Sequence, residues 1–351
     1  MTSAVPNPSS HKDNHHYEDL EMSDYSSSPP SPTTTNNDSL ACPPPVYTPS
    51  SFTPTFQLQI ETTGKPWLSM PLPLKPDPIP VFALDNTLST ASSSSTSTSP
   101  KFISHRPSRG SGSCYLVNAA GVDETALSTT TYRWGPGKPP RVRLFSPFTG
   151  GATHPPTTLD DKDDSSSSCW DTFDIQSSGL FTRATRFRPA KLLLAPTTTT
   201  TTSFTSREDE AAGTFFEWRY AGRKERKAYT TTATLTPTAA KDDGVDSLLI
   251  LEKVLRISTG DEKEEFHRVP VAQFLRNAGL RTLGTSASSA GNGGRLLVDL
   301  DDTKWGFDES NKTEREMALV MVVTTCLVML KREVDRRRAQ QIAIMAGGAG
   351  S

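Results

Sequence analysis

The stretch that decides the fold is residues 317–330, MALVMVVTTCLVML, which the basic sequence KREVDRRR follows directly. It is apolar on every side of a helix. Its only polar side chains are the hydroxyls of Thr324 and Thr325, and a helix can bond both to its own carbonyl groups. A helix that is hydrophobic all round is either the centre of a fold or a membrane span.

The length of this run favours the centre of a fold. Its 14 residues would form about 21 Å of helix, whereas a bilayer core requires about 20 residues and 30 Å. Insertion as a C-terminal tail anchor would also carry Lys331, Arg332 and residues 336–338 across the membrane, against the positive-inside tendency. We therefore predict a core helix, with a tail-anchored membrane protein as the alternative.

The ends of this helix carry their own signals. Thr313 and Glu316 have the spacing of a capping box, in which a hydroxyl and a carboxylate bond the free N–H groups of the first turn. Gly347 and Gly348 are typical of a helix end. The sequence predicts a helix of roughly 30 residues, about 45 Å long.

The segments upstream alternate between apolar and polar residues, as strands with one buried face do. Phe56, Leu58 and Ile60 alternate with Gln57, Gln59 and Glu61 in the first of them. The further predicted strands are 114–117, 130–134, 141–145, 170–175, 180–187, 215–220, 226–230, 248–257 and 295–300, and one short helix is predicted at 269–278. An antiparallel sheet that closes on itself would enclose the hydrophobic helix. We therefore predict a mainly β fold: a closed barrel of roughly 12 strands around the C-terminal helix.

The remaining segments are rich in Ser, Thr and Pro. Residues 1–54 cannot bury enough apolar surface to offset their chain entropy and are predicted to be a disordered tail. The same composition predicts low-complexity insertions at 89–100, 149–168, 196–212 and 230–246 within a single domain, 55–346. Residues 347–351 form a Gly-rich tail.

Composition also narrows the compartment and the class of protein. The four cysteines form no CxxC pair, and the N-terminus has neither a basic segment nor an apolar one that a secretory signal needs. We predict a monomeric, non-secreted protein of the cytoplasm, at the inner membrane face where it binds lipid, with the nucleus left open. A net charge of -2 argues against nucleic-acid binding. No metal site, cofactor or catalytic residue is predicted.

Several strings resemble a family of filamentous-fungal proteins: PWLSMPLPL at 66–74, TYRWGPGKPPRVRLF at 131–145, TFFEWRYAGRKERKA at 214–228, SSAGNGGRL at 288–296, and residues 326–350. The architecture resembles the tubby C-terminal domain, which the LURP-one-related and scramblase-like families share. The first resemblance implies no activity. The second implies the barrel with its central helix, and no binding residue is carried over from it.

Basic residues crowd some of the predicted strands. The candidates for binding phosphoinositides or an anionic lipid surface are Arg219, Arg223, Lys224, Arg226, Lys227, Arg141 and Arg143. The alternative is that these side chains lie on solvated strand faces and pair with Glu217 and Glu225. On the first interpretation the protein is a non-catalytic lipid-binding or protein-binding module.

An enzymatic alternative comes from residues 296–303, LLVDLDDT. An apolar strand followed by DxDxT resembles the nucleophile motif of haloacid-dehalogenase-type phosphatases. That resemblance implies a phosphorylated Asp299, Asp301 as the acid and base, and Mg²⁺. Only one helix is predicted after the motif, however, whereas those enzymes carry further motifs on strands that follow it. An acidic turn after the last strand is the simpler interpretation.

A motif in the N-terminal tail suggests a third function. Pro44, Pro45 and Tyr47 match PPxY, a ligand of WW domains. Preformed polyproline II geometry lowers the entropy cost of such docking. The corresponding hypothesis is a scaffold recruited by WW-domain proteins.

Overall fold

The computed structural model of the chain describes residues 52–70, 72, 77–84, 99–107, 113–121, 125–133, 138–146, 169–178, 183–193, 213–233, 244–259, 263–307 and 311–348. All of them belong to one compact unit, Tyr47–Ser351. The PPxY residues Pro44, Pro45 and Tyr47 lie outside the described residues. So do nearly all of the predicted tail and most of the predicted insertions.

The described strands form one antiparallel sheet of 13, in the order β7-β6-β5-β4-β3-β2-β1-β13-β12-β11-β10-β9-β8. Their bounds are β1 Phe56–Ile60, β2 Ile79–Leu84, β3 Phe102–His105, β4 Cys114–Asn118, β5 Ala126–Thr131, β6 Arg141–Phe145, β7 Cys169–Asp174, β8 Gln176–Ser177, β9 Thr185–Phe187, β10 Phe215–Tyr220, β11 Ser247–Thr259, β12 Lys263–Arg276 and β13 Gly294–Val298. Only Ile175 separates the two end strands, and its N–H donates to the carbonyl of Pro140 at 2.9 Å. The sheet therefore returns to its start and is a nearly closed barrel, which confirms the predicted fold class.

The helices are α1 Ala190–Leu193, α2 Arg223–Ala233, α3 Asp302–Trp305 and α4 Lys312–Gly348. Every side chain of α4 from residue 317 to 330 is buried. The hydroxyls of Thr324 and Ser128, on β5, share a hydrogen bond of 2.6 Å, and the indole N–H of Trp218, on β10, donates to Thr325 at 3.0 Å. Seven strands lie between β5 and β10 in the sheet order. Adjacent residues of α4 therefore contact remote parts of the sheet, so the helix lies inside the barrel, as predicted.

The apolar run is thus the centre of the barrel core and packs against side chains from nearly every strand. Among the described residues, no helix combines the length and the apolar character that crossing a membrane requires.

The start of α4 differs from the prediction. The side chain of Asn311 accepts the N–H of Glu314 at 3.2 Å, so Asn311, and not Thr313, caps the helix. Thr325 donates to the carbonyl of Met321 at 2.9 Å, as expected. Thr324 bonds Ser128 of the barrel wall instead of the helix itself. The helix also extends over 37 residues, past the predicted 30.

The predicted strand at 226–230 is wrong, since these residues belong to α2. A return strand would need a free edge of β10, and β10 already pairs with β9 and β11. Glu225 favours the helix, because its carboxylate accepts the N–H of Gly222 at 2.7 Å and so caps the first turn.

The predicted helix at 269–278 is also wrong, since most of these residues lie in β12. Ala272 and Phe274 of β12 face the main core inside the barrel, whereas Leu275 packs on the outside. Leu248, Ile250 and Leu297 share this outer cluster, which partly buried Tyr229 of α2 helps to cover. A strand buried on both faces loses the alternation of apolar and polar residues, so periodicity cannot separate it from a buried helix.

Candidate functional site

One of the predicted basic residues, Arg219, belongs to an ion-pair network on the outside of the barrel. Arg219 donates to Glu225 at 2.8 and 2.9 Å and to Glu252 at 2.7 and 3.0 Å. Arg268 joins Glu252 to Glu217, which also accepts from Arg186 at 2.9 Å. Burial alone would raise the pKa of Glu217, but its bonds to the two arginines outweigh burial and lower it. Because Arg219 bonds the carboxylates of Glu225 and Glu252, its charge is already neutralised.

The other candidates do not form one surface. Arg223, Lys224 and Lys227 are exposed on α2. Arg141 lies on β6, where it donates to Asp174 at 3.0 Å, and Arg143 lies on the same strand. Where the two ends of the sheet meet, β7, β8 and β9 lie between β6 and β10. At the usual strand spacing, β6 and β10 are therefore about 19 Å apart. The seven residues are thus spread over separate parts of the surface.

Arg226 leads to a different site, a cavity of about 570 Å³ at the end of the barrel where α4 emerges. Its described lining includes six arginines (Arg183, Arg226, Arg276, Arg281, Arg336 and Arg337) and two carboxylates (Asp246 and Glu333). The formal excess is four positive charges. Trp67, Tyr220 and the loop between β12 and β13 complete the wall.

The floor of the cavity is a buried ion pair. Arg276, at the end of β12, donates through both terminal nitrogens to Glu333 of α4, each at 2.6 Å. Glu333 also accepts from the Tyr220 hydroxyl and, at 2.9 Å, from the N–H of Gly291. Burial would raise the pKa of Glu333, but Arg276 outweighs it and lowers the pKa. Burial and the adjacent Glu333 carboxylate raise the pKa of Tyr220, which therefore stays a neutral donor.

Gly291 fixes the loop against this floor. Its φ is +69°, and a Cβ there would lie 2.5 Å from Val334 Cγ2 and 2.6 Å from the carbonyl oxygen of Leu330. Only glycine allows the loop backbone to approach α4 this closely. The loop, β12 and α4 are therefore joined rigidly at the base of the cavity.

Two arginines on one wall contact Asp246. The Arg281 guanidinium lies 3.4 Å from its carboxylate, and Arg226 donates to its backbone carbonyl at 2.7 Å. The Asp246 side chain is itself 43% exposed, so solvent screens its attraction for Arg281. This wall remains cationic.

Three further arginines, Arg183, Arg336 and Arg337, line the cavity. In the part of the chain that the structure describes, no carboxylate lies within 4.0 Å of Arg183, Arg336 or Arg337. Arg337 stacks 4.4 Å above the ring centre of Trp67, and Arg183 lies 5.9 Å from that of Tyr220. The Nη1 atom of Arg337 is buried and has no hydrogen-bond partner among the described residues. The positive charges of these three arginines are therefore not balanced by a carboxylate of the described residues.

The acidic motif lies at the other end of the barrel, where α4 begins. Asp299 accepts the N–H groups of Thr53 at 3.2 Å and Asp301 at 3.1 Å and pairs with Lys304. Asp301 caps α3, since its carboxylate accepts the Thr303 hydroxyl at 2.8 Å and the Thr303 N–H at 3.0 Å, and these two bonds lower its pKa. Both carboxylates therefore stabilise a turn. Within the described ranges, no three His, Cys, Asp or Glu residues are placed to hold a metal ion. The phosphatase hypothesis stays a prediction.

Sequence reasoning missed most of the cavity. Arg276 lay in a segment predicted to be helical, and Arg336 and Arg337 served only as charges that argue against a tail anchor. The triple arginine at 336–338, directly after a core helix, is the one local signal that could have pointed here.

Comparisons with protein-family models, with curated proteins and with solved structures find no match to the chain. The resemblances to the fungal family and to the tubby domain stay predictions.

Proposed function

We propose that this chain is a non-catalytic binding protein whose cavity at the α4 exit holds a phosphorylated, polyanionic ligand. The observation that carries the proposal is the excess of four positive charges, with Arg183, Arg336 and Arg337 lacking a carboxylate partner in the described fold. A guanidinium presents planar N–H donors that match two phosphate oxygens at once.

The size of the cavity narrows the ligand class. About 570 Å³ lies within the range of roughly 300–1,000 Å³ for small-molecule sites. Six arginines in one lining favour a ligand with several phosphate groups over a single phosphate. An inositol polyphosphate fits both requirements, either free or as the headgroup of a phosphoinositide. The second source agrees with the peripheral position at the inner membrane face that the sequence predicts.

Isothermal titration calorimetry on the full chain tests the proposal, with inositol 1,4,5-trisphosphate and inorganic pyrophosphate as separate ligands. The informative variant is Arg183→Gln/Arg336→Gln, because removing these two cations leaves no carboxylate unpaired. Each charge-assisted hydrogen bond contributes about 1.5–3 kcal/mol, so the double variant should bind the trisphosphate at least tenfold more weakly.

The matched control is Arg143→Gln/Lys224→Gln, which removes the same charge outside the cavity. It should bind within about twofold of the parent, and added salt should weaken binding by both proteins. Equal weakening by the two double variants would mean that general charge, and not this cavity, attracts the ligand. If the parent binds neither ligand, the proposal is wrong. Pyrophosphate binding as tight as trisphosphate binding would identify a small free phosphate as the ligand.

A further inference from the structure

Exposed apolar side chains are concentrated around the mouth of the arginine cavity. Ten large hydrophobic residues are exposed in the described part of the chain, and eight of them lie on three segments beside this cavity. These eight residues, which we name the apolar rim, are Trp67, Leu68, Met70, Leu72, Leu283, Ile342, Ile344 and Met345. Leu68 and Leu283 are almost completely exposed, at 95% and 96%.

Direct contacts join the three segments. Gln341 of α4 donates to the carbonyls of Pro66 and Trp67 at 3.2 and 2.7 Å. The loop that carries Leu68 is closed by Lys65, whose ammonium donates to the carbonyls of Met70 and Leu72 at 2.6 and 3.1 Å. The backbone of Lys65 also pairs with Ala290, in the same loop as Leu283. The rim is therefore one connected feature beside the cavity, and Trp67 belongs to both.

A layer of cations lies directly beneath the rim. Arg336 and Arg337 line the cavity, and Trp67 stacks on Arg337. The pKa of Lys65 is lowered by burial and by the nearby charge of Arg338. Tryptophan and leucine above a cationic layer are the composition of surfaces that enter the boundary between lipid headgroups and acyl chains.

We propose that the apolar rim inserts into the surface of a lipid bilayer, so that the cavity receives the headgroup of an anionic membrane lipid and not a free solute. This inference rests on the proposed function of the cavity. Two complementary forces act at one end of the molecule: the arginines attract phosphate groups, and the rim enters the acyl region beside them. The rim residues protrude from separate segments around a charged opening, an arrangement that matches a bilayer surface better than the flat apolar face of a protein interface.

Vesicle sedimentation tests this inference with full-length protein and vesicles of phosphatidylcholine, alone or with phosphatidylserine or phosphatidylinositol 4,5-bisphosphate. The parent should bind the phosphoinositide vesicles most tightly. Leu68→Ser/Leu283→Ser should reduce the vesicle partition coefficient by about tenfold for each leucine, while its calorimetric affinity for inositol 1,4,5-trisphosphate stays within about twofold of the parent. Phe266→Ser, an exposed apolar residue outside the rim, should leave both measurements unchanged.

Trp67 gives a second measurement that does not depend on affinity. Its fluorescence should be quenched by lipids brominated near the headgroup in bound parent protein, and Trp67→Phe should lower the quenched fraction. Trp218 and Trp305 are buried and Trp170 packs partly buried against the core, so their emission should not respond.

The outcomes separate the two proposals. Vesicle binding by Leu68→Ser/Leu283→Ser that equals the parent's would overturn the insertion and leave the cavity proposal intact. Loss of vesicle binding together with loss of soluble headgroup binding would also overturn it, since the change would then act on the cavity. A parent that ignores every vesicle but binds the trisphosphate would show that the ligand is a free solute. If Arg183→Gln/Arg336→Gln binds the phosphoinositide vesicles as tightly as the parent, the cavity does not receive the headgroup and both proposals are overturned.

Discussion

A charge placed in the middle of α4 should unfold the barrel. Val323 is fully buried, at 0% exposure, and lies near the middle of the run from 317 to 330 that fills the core. The substitution Val323→Asp removes an apolar side chain and introduces a carboxyl group that has no water around it. Both parts of that substitution destabilise the folded state.

Losing the buried apolar side chain costs about 1.5–3 kcal/mol. A carboxyl group at such a depth folds in its neutral form, with a pKa ~3–5 above its usual value, and protonating it at pH 7 costs ~4 kcal/mol. The total of ~5–7 kcal/mol is comparable to the whole stability of an ordinary domain, ~5–15 kcal/mol. Because the folded pKa would be raised, the penalty should shrink as pH falls from neutral toward ~4, the opposite of ordinary acid denaturation.

Circular dichroism with thermal and urea unfolding at pH 5 and pH 7 measures both effects. The control is Ala343→Asp, at an exposed position of the same helix, which should unfold within a few degrees of the parent. We expect Val323→Asp to be unfolded or insoluble at pH 7 and measurably more folded at pH 5. A soluble variant with the parent's midpoint at pH 7 would show that α4 does not fill the barrel.

Three smaller changes test other buried groups. Thr325→Val removes the acceptor of the Trp218 indole N–H, so urea titration should show that the free energy of unfolding falls by about 1–3 kcal/mol. Much of this loss should be recovered when Trp218→Phe is added. Simple additivity of the two substitutions would contradict the bond. Burial lowers the pKa of Lys253 to about 8, so the folded chain releases this proton before the unfolded chain does. The free energy of unfolding should therefore rise from pH 8 to 10 relative to Lys253→Met, and equal slopes would contradict this. Burial raises the pKa of the Cys326 thiol, so a thiol reagent should label it only in denaturant. Cys326→Ser is the control that identifies the labelled site. Rapid labelling of Cys326 in the folded protein would show that the core is open.

The sequence predicted the central helix well because its signal is local and complete. Every residue of the apolar run from 317 to 330 is buried, and this run is the continuous buried stretch of α4. The alternation of Phe216 and Trp218 with charged neighbours also predicted the inward face of β10, where both rings are fully buried. In these segments one face meets the core and the other meets polar groups, so the residue pattern records the environment directly.

The errors occur where a second layer covers the sheet. Leu248, Ile250 and Leu275 face outward from the barrel and are nevertheless buried, because they form their own cluster beside α2. Nothing in the segment 269–278 itself shows that both faces of the strand are covered. The segment 226–230 of α2 was predicted to be a strand because the sequence does not show which strands pair with β10. Those strands come from other parts of the chain.

The cavity was beyond sequence reasoning because its members share no local pattern. Its arginines range from Arg183 to Arg337 and come from different elements. Arg219 looked like a binding residue, but Glu252, 33 residues further along, neutralises it. Whether a basic side chain is available to a ligand depends on its ion-pair partners. The sequence itself offered Glu225 as a partner of Arg219, whereas Glu252 meets Arg219 only because β10 pairs with β11.

The position of α4 along its axis links the core to the proposed site. The buried run fixes the helix inside the barrel through Thr324 and Thr325, and Gly291 then meets Leu330 and Val334 just beyond it. A shift by one residue would move the helix about 1.5 Å and turn it by about 100°, which would separate Glu333 from Arg276 and turn the cavity arginines of α4 away from the opening. One helix therefore sets the packing of the barrel, the charge of the cavity and the exposure of the last apolar rim residues. The geometry of the arginine cavity depends on the same packing that stabilises the fold.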